Sequence, residues 1–276
     1  MTTTFADRIA ALEGAAGRLC VGIDPHPGIL ADWGVPDTAA GVASFGQTIV
    51  DAAAHTGVAL LKPQVAFFER HGVAGMSALA DLIGQARSRG LVVIADAKRG
   101  DVGSTVAAYA DAWLGKGSDF ESDAMTAVAY QGVGSVEPMC EAALDGGKGL
   151  FVLVNTSNPE GWGQQRAQVT AGTTVAQHIF DGLVARQDLS GKSDWMGCVV
   201  GATLQPAERA VELPGPMPLW VLAPGFGYQG ARLSDVDALF GPATSKVIPT
   251  VSRSVCQGGR DGVGAAIVAH LEELRP

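Results

Sequence analysis

Five ionisable side chains stand at spacings that could carry charge chemistry. Asp96-Ala97-Lys98-Arg99-Gly100-Asp101 sets a lysine between two carboxylates, and Lys62 and Asp24 each close an apolar run further upstream. A lysine so placed offers a fixed ammonium that can stabilise opposite charge in a ligand. Nearby carboxylates favour its charged form, so Lys98 is expected to stay protonated. One such triplet alone would also fit an ion pair closing a loop. Charged ends on three successive buried strands are harder to read as packing, because burying them unpaired costs several kcal/mol each.

The elements that position these groups follow from local patterning. Leu91-Val-Val-Ile-Ala95 is short, β-branched and bounded by polar residues, which predicts a buried parallel strand. Asp96 and Lys98 are two apart and so leave its carboxyl end on one side. Similar runs are Leu19–Asp24, Val58–Lys62, Asp123–Val128, Leu150–Val154, Met196–Ala202, Leu219–Leu222 and Ser245–Val251. Helical patterning falls over 4–12, 38–55 with Thr38 as cap and Gly57 as stop, 72–89, 102–116, a segment capped by Ser135 that ends near Asp145, 170–187, 205–211 and 262–274. Pro25-His26-Pro27 neither continues a strand nor starts a helix smoothly.

Eight strand-then-helix units predict an α/β fold, a (β/α)₈ TIM barrel built as a single domain over 1–276 with a short N-terminal helix. No GxGxxG turn follows the first strand, as a doubly wound nucleotide fold would show. In a barrel the active rim gathers Asp24, Lys62, Asp96, Lys98, Asp101, Thr126, Thr156, Ser157, Gln229 and Arg253. Pro224-Gly-Phe-Gly-Tyr-Gln-Gly230 and Arg253 follow strands seven and eight, where this fold binds phosphate. The loop offers backbone amides and the Gln229 amide, and Arg253 a planar fork for phosphate oxygens.

Composition narrows the function classes. The chain has 276 residues, 47% hydrophobic, enough for a large core, and a net charge of −9 that argues against a nucleic-acid partner. Its 37 glycines are dispersed, as many tight turns require. Cys20, Cys140, Cys198 and Cys256 form no metal spacing and are expected as reduced thiols. His26, His55, His71, His178 and His270 are scattered. No stretch is long and apolar enough to span a bilayer, and the first residues lack an apolar signal region, so a soluble cytoplasmic protein is expected.

At this point the chain resembles the orotidine 5′-phosphate decarboxylase family. The resemblance is carried by Asp96-Ala-Lys98-Arg-Gly-Asp101-Val-Gly-Ser-Thr105, with Lys62-Pro-Gln-Val-Ala-Phe-Phe-Glu and Ala-Pro-Gly-Phe-Gly-Tyr-Gln-Gly resembling its longer bacterial branch. It implies conversion of orotidine 5′-monophosphate to UMP, the last step of de novo pyrimidine synthesis, without metal or organic cofactor. Lys62, Asp96, Lys98 and Asp101 would form the catalytic tetrad, Lys98 protonating C6 and Asp96 lying against the substrate carboxylate. Asp101 and Thr105 would reach a neighbouring subunit's site, which implies a homodimer. Asp24 would bind ribose hydroxyls, Gln229 and Arg253 the phosphate, and Ser157 or its neighbour Thr156 the pyrimidine. The strand-four end, Ala127-Val128-Ala129-Tyr130, has no polar group with a counterpart.

Three rivals remain open. A metal-dependent sugar-phosphate lyase or synthase would want a carboxylate where Lys62 stands. A Schiff-base aldolase would need a neutral amine. A catalytically silent phosphate-ligand binder would keep the site without turnover.

Overall fold

The apolar runs form eight parallel strands that close into a barrel, β1 (Cys20–Ile23), β2 (Leu60–Pro63), β3 (Val92–Arg99), β4 (Ala124–Ala127), β5 (Gly149–Asn155), β6 (Met196–Val200), β7 (Trp220–Pro224) and β8 (Val247–Val251). Each pairs with its neighbours in sequence, and β8 returns to β1. The structure is a computed structural model that describes residues 3–275. The end positions of the expected 1–276 span lie outside the described residues.

Strand alternation sorts the side chains into two cores. Leu60, Val92, Ile94, Phe151, Leu222 and Ile248 fill the barrel interior, while Leu61, Val93, Val152 and Val221, one residue along, face the surrounding helices. The outer layer is α1 (Phe5–Ala10), α2 (Pro27–Asp32), α3 (Ala39–Thr56), α4 (Gly72–Ser88), α5 (Gly103–Leu114), α6 (Glu137–Gly146), α7 (Val175–Ser190), α8 (Val236–Phe240), α9 (Arg253–Cys256) and α10 (Val263–Glu273). Among the described residues, no helix is long and apolar enough to cross a membrane.

Helix α1 belongs to the inner core. Thr4 caps it in a reciprocal bond with Asp7, and its Phe5 and Ile9 join the interior cluster. Phe5 meets Phe151 edge-on, with ring centroids 5.9 Å apart. The amino-terminal helix therefore closes the lower end of the barrel and leaves the carboxyl ends of the strands as its mouth.

Most predicted elements lie where patterning put them; Thr38 caps α3 and Gly57 ends it in the left-handed region. Several segments differ. Pro27 does begin a helix, α2, because a proline at the first helical position loses no bond the helix needs. Ser135 does not cap α6: it lies in a 3₁₀ turn, Val133–Val136, and its buried hydroxyl has no partner among the described residues. Residues 168–174 form a small antiparallel hairpin, so α7 starts at Val175 with Thr174 as its cap and not at Thr170. The expected helix over 205–211 is only a 3₁₀ turn, Pro206–Glu208. The Ala210 amide donates to Asn155 Oδ1 at 2.8 Å, and its carbonyl accepts from Thr174, which removes the backbone groups a helix would use. Finally, α8 occupies a segment with no marked helical pattern.

Phe5→Ala should cost about 3–5 kcal/mol of stability, the range for a fully buried aromatic that leaves a cavity. Urea unfolding measures it. A loss under about 1 kcal/mol, the scale of a surface change, would show that α1 does not seal the barrel.

Candidate active site

The inward face of each strand continues upward from apolar to polar. Two residues beyond interior Leu60 comes Lys62, two beyond Ile94 comes Asp96, two beyond Ala124 comes Thr126, and two beyond Ile248 comes Thr250. The same period carries β1 through Gly22 to Asp24. These residues line a cavity of about 400 Å³ at the carboxyl ends of the strands, within the range of small-ligand sites. Lys62, Asp96, Lys98, Asp24, Gln229 and Arg253 all line it.

Its centre is an ion cluster in which Lys62 and Asp96 are buried and the Lys98 side chain stays 40% exposed at the cavity wall. Lys62 Nζ donates to Asp96 Oδ2 at 2.8 Å, and Lys98 Nζ donates to Asp96 Oδ1 at 2.5 Å. Thr126 Oγ1 donates to the same Oδ1 at 2.9 Å and accepts the Lys98 backbone amide at 2.9 Å. The end of strand four thus contributes a polar group after all, one residue before the segment that looked empty. Lys98 has φ +47°, and the register with β4 shifts between Ala95 and Arg99. A non-glycine residue held there costs of order 1 kcal/mol or more. The kink aims the Lys98 ammonium back over Asp96, so the pair meets across a bulge and not along a regular strand.

Electrostatics follow from burial and pairing. Burial works against the Lys62 charge, but Asp96 and Asp24 outweigh it and raise its pKa above the usual lysine value. Burial also opposes the Asp96 charge, yet Lys62 and Lys98 hold it well below the usual carboxylate range. For Lys98 the balance is reversed: burial comes first, Asp96 offsets it only in part, Lys62 adds repulsion, and the pKa is lowered. Flanking carboxylates were expected to favour its charge. Of the two flanking ones only Asp96 does so, with a weaker contribution from Asp24, because Asp101 accepts the adjacent Val102 amide and does not line the cavity.

On the β1 and β8 side, Ser252 Oγ donates to Asp24 Oδ2 at 2.5 Å. Asp24 Oδ1 is buried and has no hydrogen-bond partner among the described residues. A carboxylate oxygen so placed can accept a hydrogen bond from a ligand or from an ordered water. Gly22 makes the pair possible, since a Cβ there would stand 2.8 Å from Ser252 Cβ. Across the mouth, Arg253 stacks on the Tyr228 ring, its guanidinium carbon 4.0 Å from the centroid. Gln229 stands on the exposed tip of the glycine loop.

Three expected residues lie outside the cavity. Asp101 accepts only the adjacent Val102 amide, at 2.8 Å, and Thr105 is exposed on the first turn of α5. Ser157 packs beside Gly201. Thr156, its alternative, already has its hydroxyl engaged, donating to Asn158 Oδ1 and accepting from Gln165 Nε2, both at 2.6 Å. Sequence reasoning passed over Gln64, Ser252, Phe67 and Thr250, and set His26 aside as a loop residue, though all five line the cavity. Gln64 carried a readable signal: it is two residues beyond Lys62 and shares its face. No group of three or more His, Cys, Asp or Glu among the described residues is placed to hold a metal ion.

Asp96→Asn should destabilise the protein by about 3–5 kcal/mol at pH 7, because it strands a buried ammonium. Urea unfolding checks this, and a change within about 1 kcal/mol would show that the cluster is not truly buried. The wild-type contribution of Asp96 is complete above its unfolded pKa, near 4, and is lost as pH falls below that value towards the depressed native one.

The model of the orotidine 5′-phosphate decarboxylase / HUMPS family matches residues 17–266. A relative from Corynebacterium glutamicum (strain R), named orotidine 5′-phosphate decarboxylase, is 44% identical over 261 residues, covering 94% of this chain and 92% of the relative. One of the same name from Salinispora tropica is 45% identical over 261 residues, with the same coverage of each. Among solved structures, a Streptomyces avermitilis protein superposes with a TM-score of 0.90 at 42% identity, covering 99% of this chain and 95% of that one. Leishmania donovani OMP decarboxylase does so with a TM-score of 0.77 at 29% identity, covering 98% and 97%. With the family model spanning most of its length and relatives this similar from end to end, the chain belongs to the orotidine 5′-phosphate decarboxylase / HUMPS family.

Proposed function

We propose that this protein removes CO₂ from orotidine 5′-monophosphate to give UMP in pyrimidine synthesis, with Lys98 protonating C6 and no metal or organic cofactor. The observation that carries the reading is the Lys62–Asp96–Lys98 cluster at the bottom of the mouth. Loss of CO₂ leaves an electron pair at C6 in the plane of the ring, where the pyrimidine π-system delocalises it poorly. That charge needs a cation held in place beforehand. Two of the three N–H groups of Lys98 are used by Asp96 and Gln64. The third is free for the reacting carbon. An ammonium about 4 Å from a unit negative charge at an effective dielectric near 20 is worth about 4 kcal/mol, or roughly a thousandfold in rate.

The same lysine balances the reaction. The C6–CO₂ bond breaks, its electron pair stays on C6, and a Lys98 proton forms the new C–H bond. Asp96 would stand against the departing carboxylate, and Lys62 keeps Asp96 ionised. Asp24, with its unsatisfied Oδ1, suits a pair of ribose hydroxyls. Gln229 and Arg253 suit the phosphate, and Ser157 is kept as the pyrimidine contact because the Thr156 hydroxyl is already engaged. Lys62, Lys98 and Arg253 against Asp24 and Asp96 leave one net positive charge around the cavity, which favours an anionic substrate.

The sugar-phosphate reading within the same family would put a metal-binding carboxylate near the cluster. Here Lys62 Nζ fills that position, 2.8 Å from Asp96. The lowered pKa of Lys98 moves towards what a Schiff base needs, so turnover must decide between the two. EDTA-treated protein should convert orotidine 5′-monophosphate to UMP, followed by loss of orotate-ring absorbance, and Lys98→Ala should abolish it while remaining folded. Turnover restored only by Mg²⁺, or substantial activity in Lys98→Ala, would reject the mechanism.

The reading includes a cytoplasmic homodimer with shared sites. Asp101 and Thr105 face away from their own cavity, and Val102 and Tyr130 beside them are 55% and 75% exposed, as a covered apolar face would be in a single chain. Mixing Lys98→Ala with Asp101→Ala subunits, each inactive alone, should restore about a quarter of wild-type activity. Half the dimers are then mixed, and each has one intact site. No recovery after subunit exchange would reject shared sites.

A further inference from the structure

Gln64 continues the inward face of β2 two residues beyond Lys62, and its backbone is fixed from both sides. Its amide donates to the Ile23 carbonyl at 3.1 Å, and it bridges in parallel to Asp96 while the Val65 amide donates to the Asp96 carbonyl at 3.4 Å. From there its side chain lines the cavity, and Lys98 Nζ donates to its Oε1 at 3.2 Å. An ammonium only donates, so the atom facing it is the amide oxygen. Lys98 needs such help. Its backbone sits at φ +47°, its side chain is flexible, and a single bond to Asp96 leaves the ammonium free to rotate about that contact.

We propose that Gln64 is a positioning residue for proton delivery: as the second, uncharged acceptor for Lys98, it turns the one remaining N–H towards the reacting carbon. The inference rests on the decarboxylase reading above. A neutral acceptor suits this position because it steers the proton without adding charge. A carboxylate there would stabilise the ammonium further and make it a weaker acid. An apolar group would release the ammonium to rotate, and misplacement of a reacting group by about 1 Å costs on the order of a hundredfold in rate. Within the chain the charged groups facing Lys98 are Asp96 at 2.5 Å, then Lys62 and Asp24, and the shared-site dimer of the decarboxylase reading would add the Asp101 of a second copy; all of them stay in place when only Gln64 is changed.

The test compares Gln64→Leu and Gln64→Glu with the wild type. Proteins labelled with ¹³C at lysine Cε are titrated by NMR, and the Lys98 resonance is assigned by its loss in Lys98→Arg. In Gln64→Leu, kcat on orotidine 5′-monophosphate should fall by about ten- to a hundredfold with KM within about twofold, and the Lys98 midpoint should move to lower pH. In Gln64→Glu the midpoint should move up, and kcat should exceed that of Gln64→Leu. Unchanged midpoints in both variants, or a rise in KM at constant kcat, would overturn the proposal, the latter making Gln64 a substrate contact. Should Gln64→Leu fail to fold, the direction of the Gln64→Glu shift decides by itself. Failure of the wild type to consume the substrate would reject the decarboxylase reading instead, and the titration would still report on the Gln64–Lys98 link.

Discussion

Two ammonium groups share one carboxylate at the inner mouth of the barrel, and most of the structure can be understood as what it takes to keep them there. Taking Lys62 and Asp96 out of water costs several kcal/mol each, while Lys98 stays partly in contact with the mouth. The cost is offset only if partners stand at hydrogen-bond distance and do not move. Lys62, Asp96 and Thr126 come from three adjacent parallel strands, whose pairing sets their relative heights. Below them the interior is apolar, with Leu60, Val92, Ile94 and Phe151 almost fully inaccessible. Helix α1 closes the far end. Dry walls strengthen each electrostatic contact above them, so the position of Phe5 at the bottom bears on the chemistry at the top.

The kink at Lys98 belongs to the same problem. A regular strand would leave the residue at 98 beside the one at 96, with parallel side chains and no reason for the lysine to fold back. The left-handed backbone bends it over. Thr126 holds both sides of the bend, accepting the Lys98 amide and donating to the Asp96 carboxylate. One hydroxyl therefore ties backbone strain to charge placement. Asp96 in turn receives three donors on its two oxygens, which explains why its charge survives deep burial.

How much of this was legible in the sequence depends on the kind of signal. Strand ends were legible because most of the eight apolar runs stop abruptly on polar residues, and period two then ranks Asp96 and Lys98 on one side. The barrel followed from counting those runs. The bond partners were not legible, because a hydroxyl such as Thr126 or Ser252 looks the same in a core, a turn or a site until its neighbour is placed. Gln64 was legible in principle from its place two residues beyond Lys62, although a glutamine just after a proline reads equally well as the start of the next turn. The hairpin at 168–174 was hidden by residues that read equally well as the first turn of a helix; Thr174, not Thr170, holds the cap because Gln168 and Thr170 pair across a glycine turn. Asp101 was legible as chemistry, but a single chain gives it no target.

The mouth has two sides of different construction, and the difference suits the proposed reaction. The β1–β4 side is built from strands and bears the ion cluster, where geometry must already be correct when charge develops at carbon. The β7–β8 side offers a glycine loop, with Gln229 and Tyr228 exposed at its tip and Arg253 at its base. Gly227 within it takes φ +73°, and a Cβ there would stand 2.6 Å from Ser254 Oγ, so the turn is closely fitted at its root and open at its tip. A loop that folds over a phosphate gains binding energy far from the reacting carbon, and such energy accelerates the reaction only if it is realised more fully in the transition state than in the ground state. On the proposed reading, fixed charge on one rim and an anion-binding loop on the other would meet that condition. In the reaction proposed above, contacts to the phosphate would bring the ring down onto Lys98 without asking the ion cluster to move.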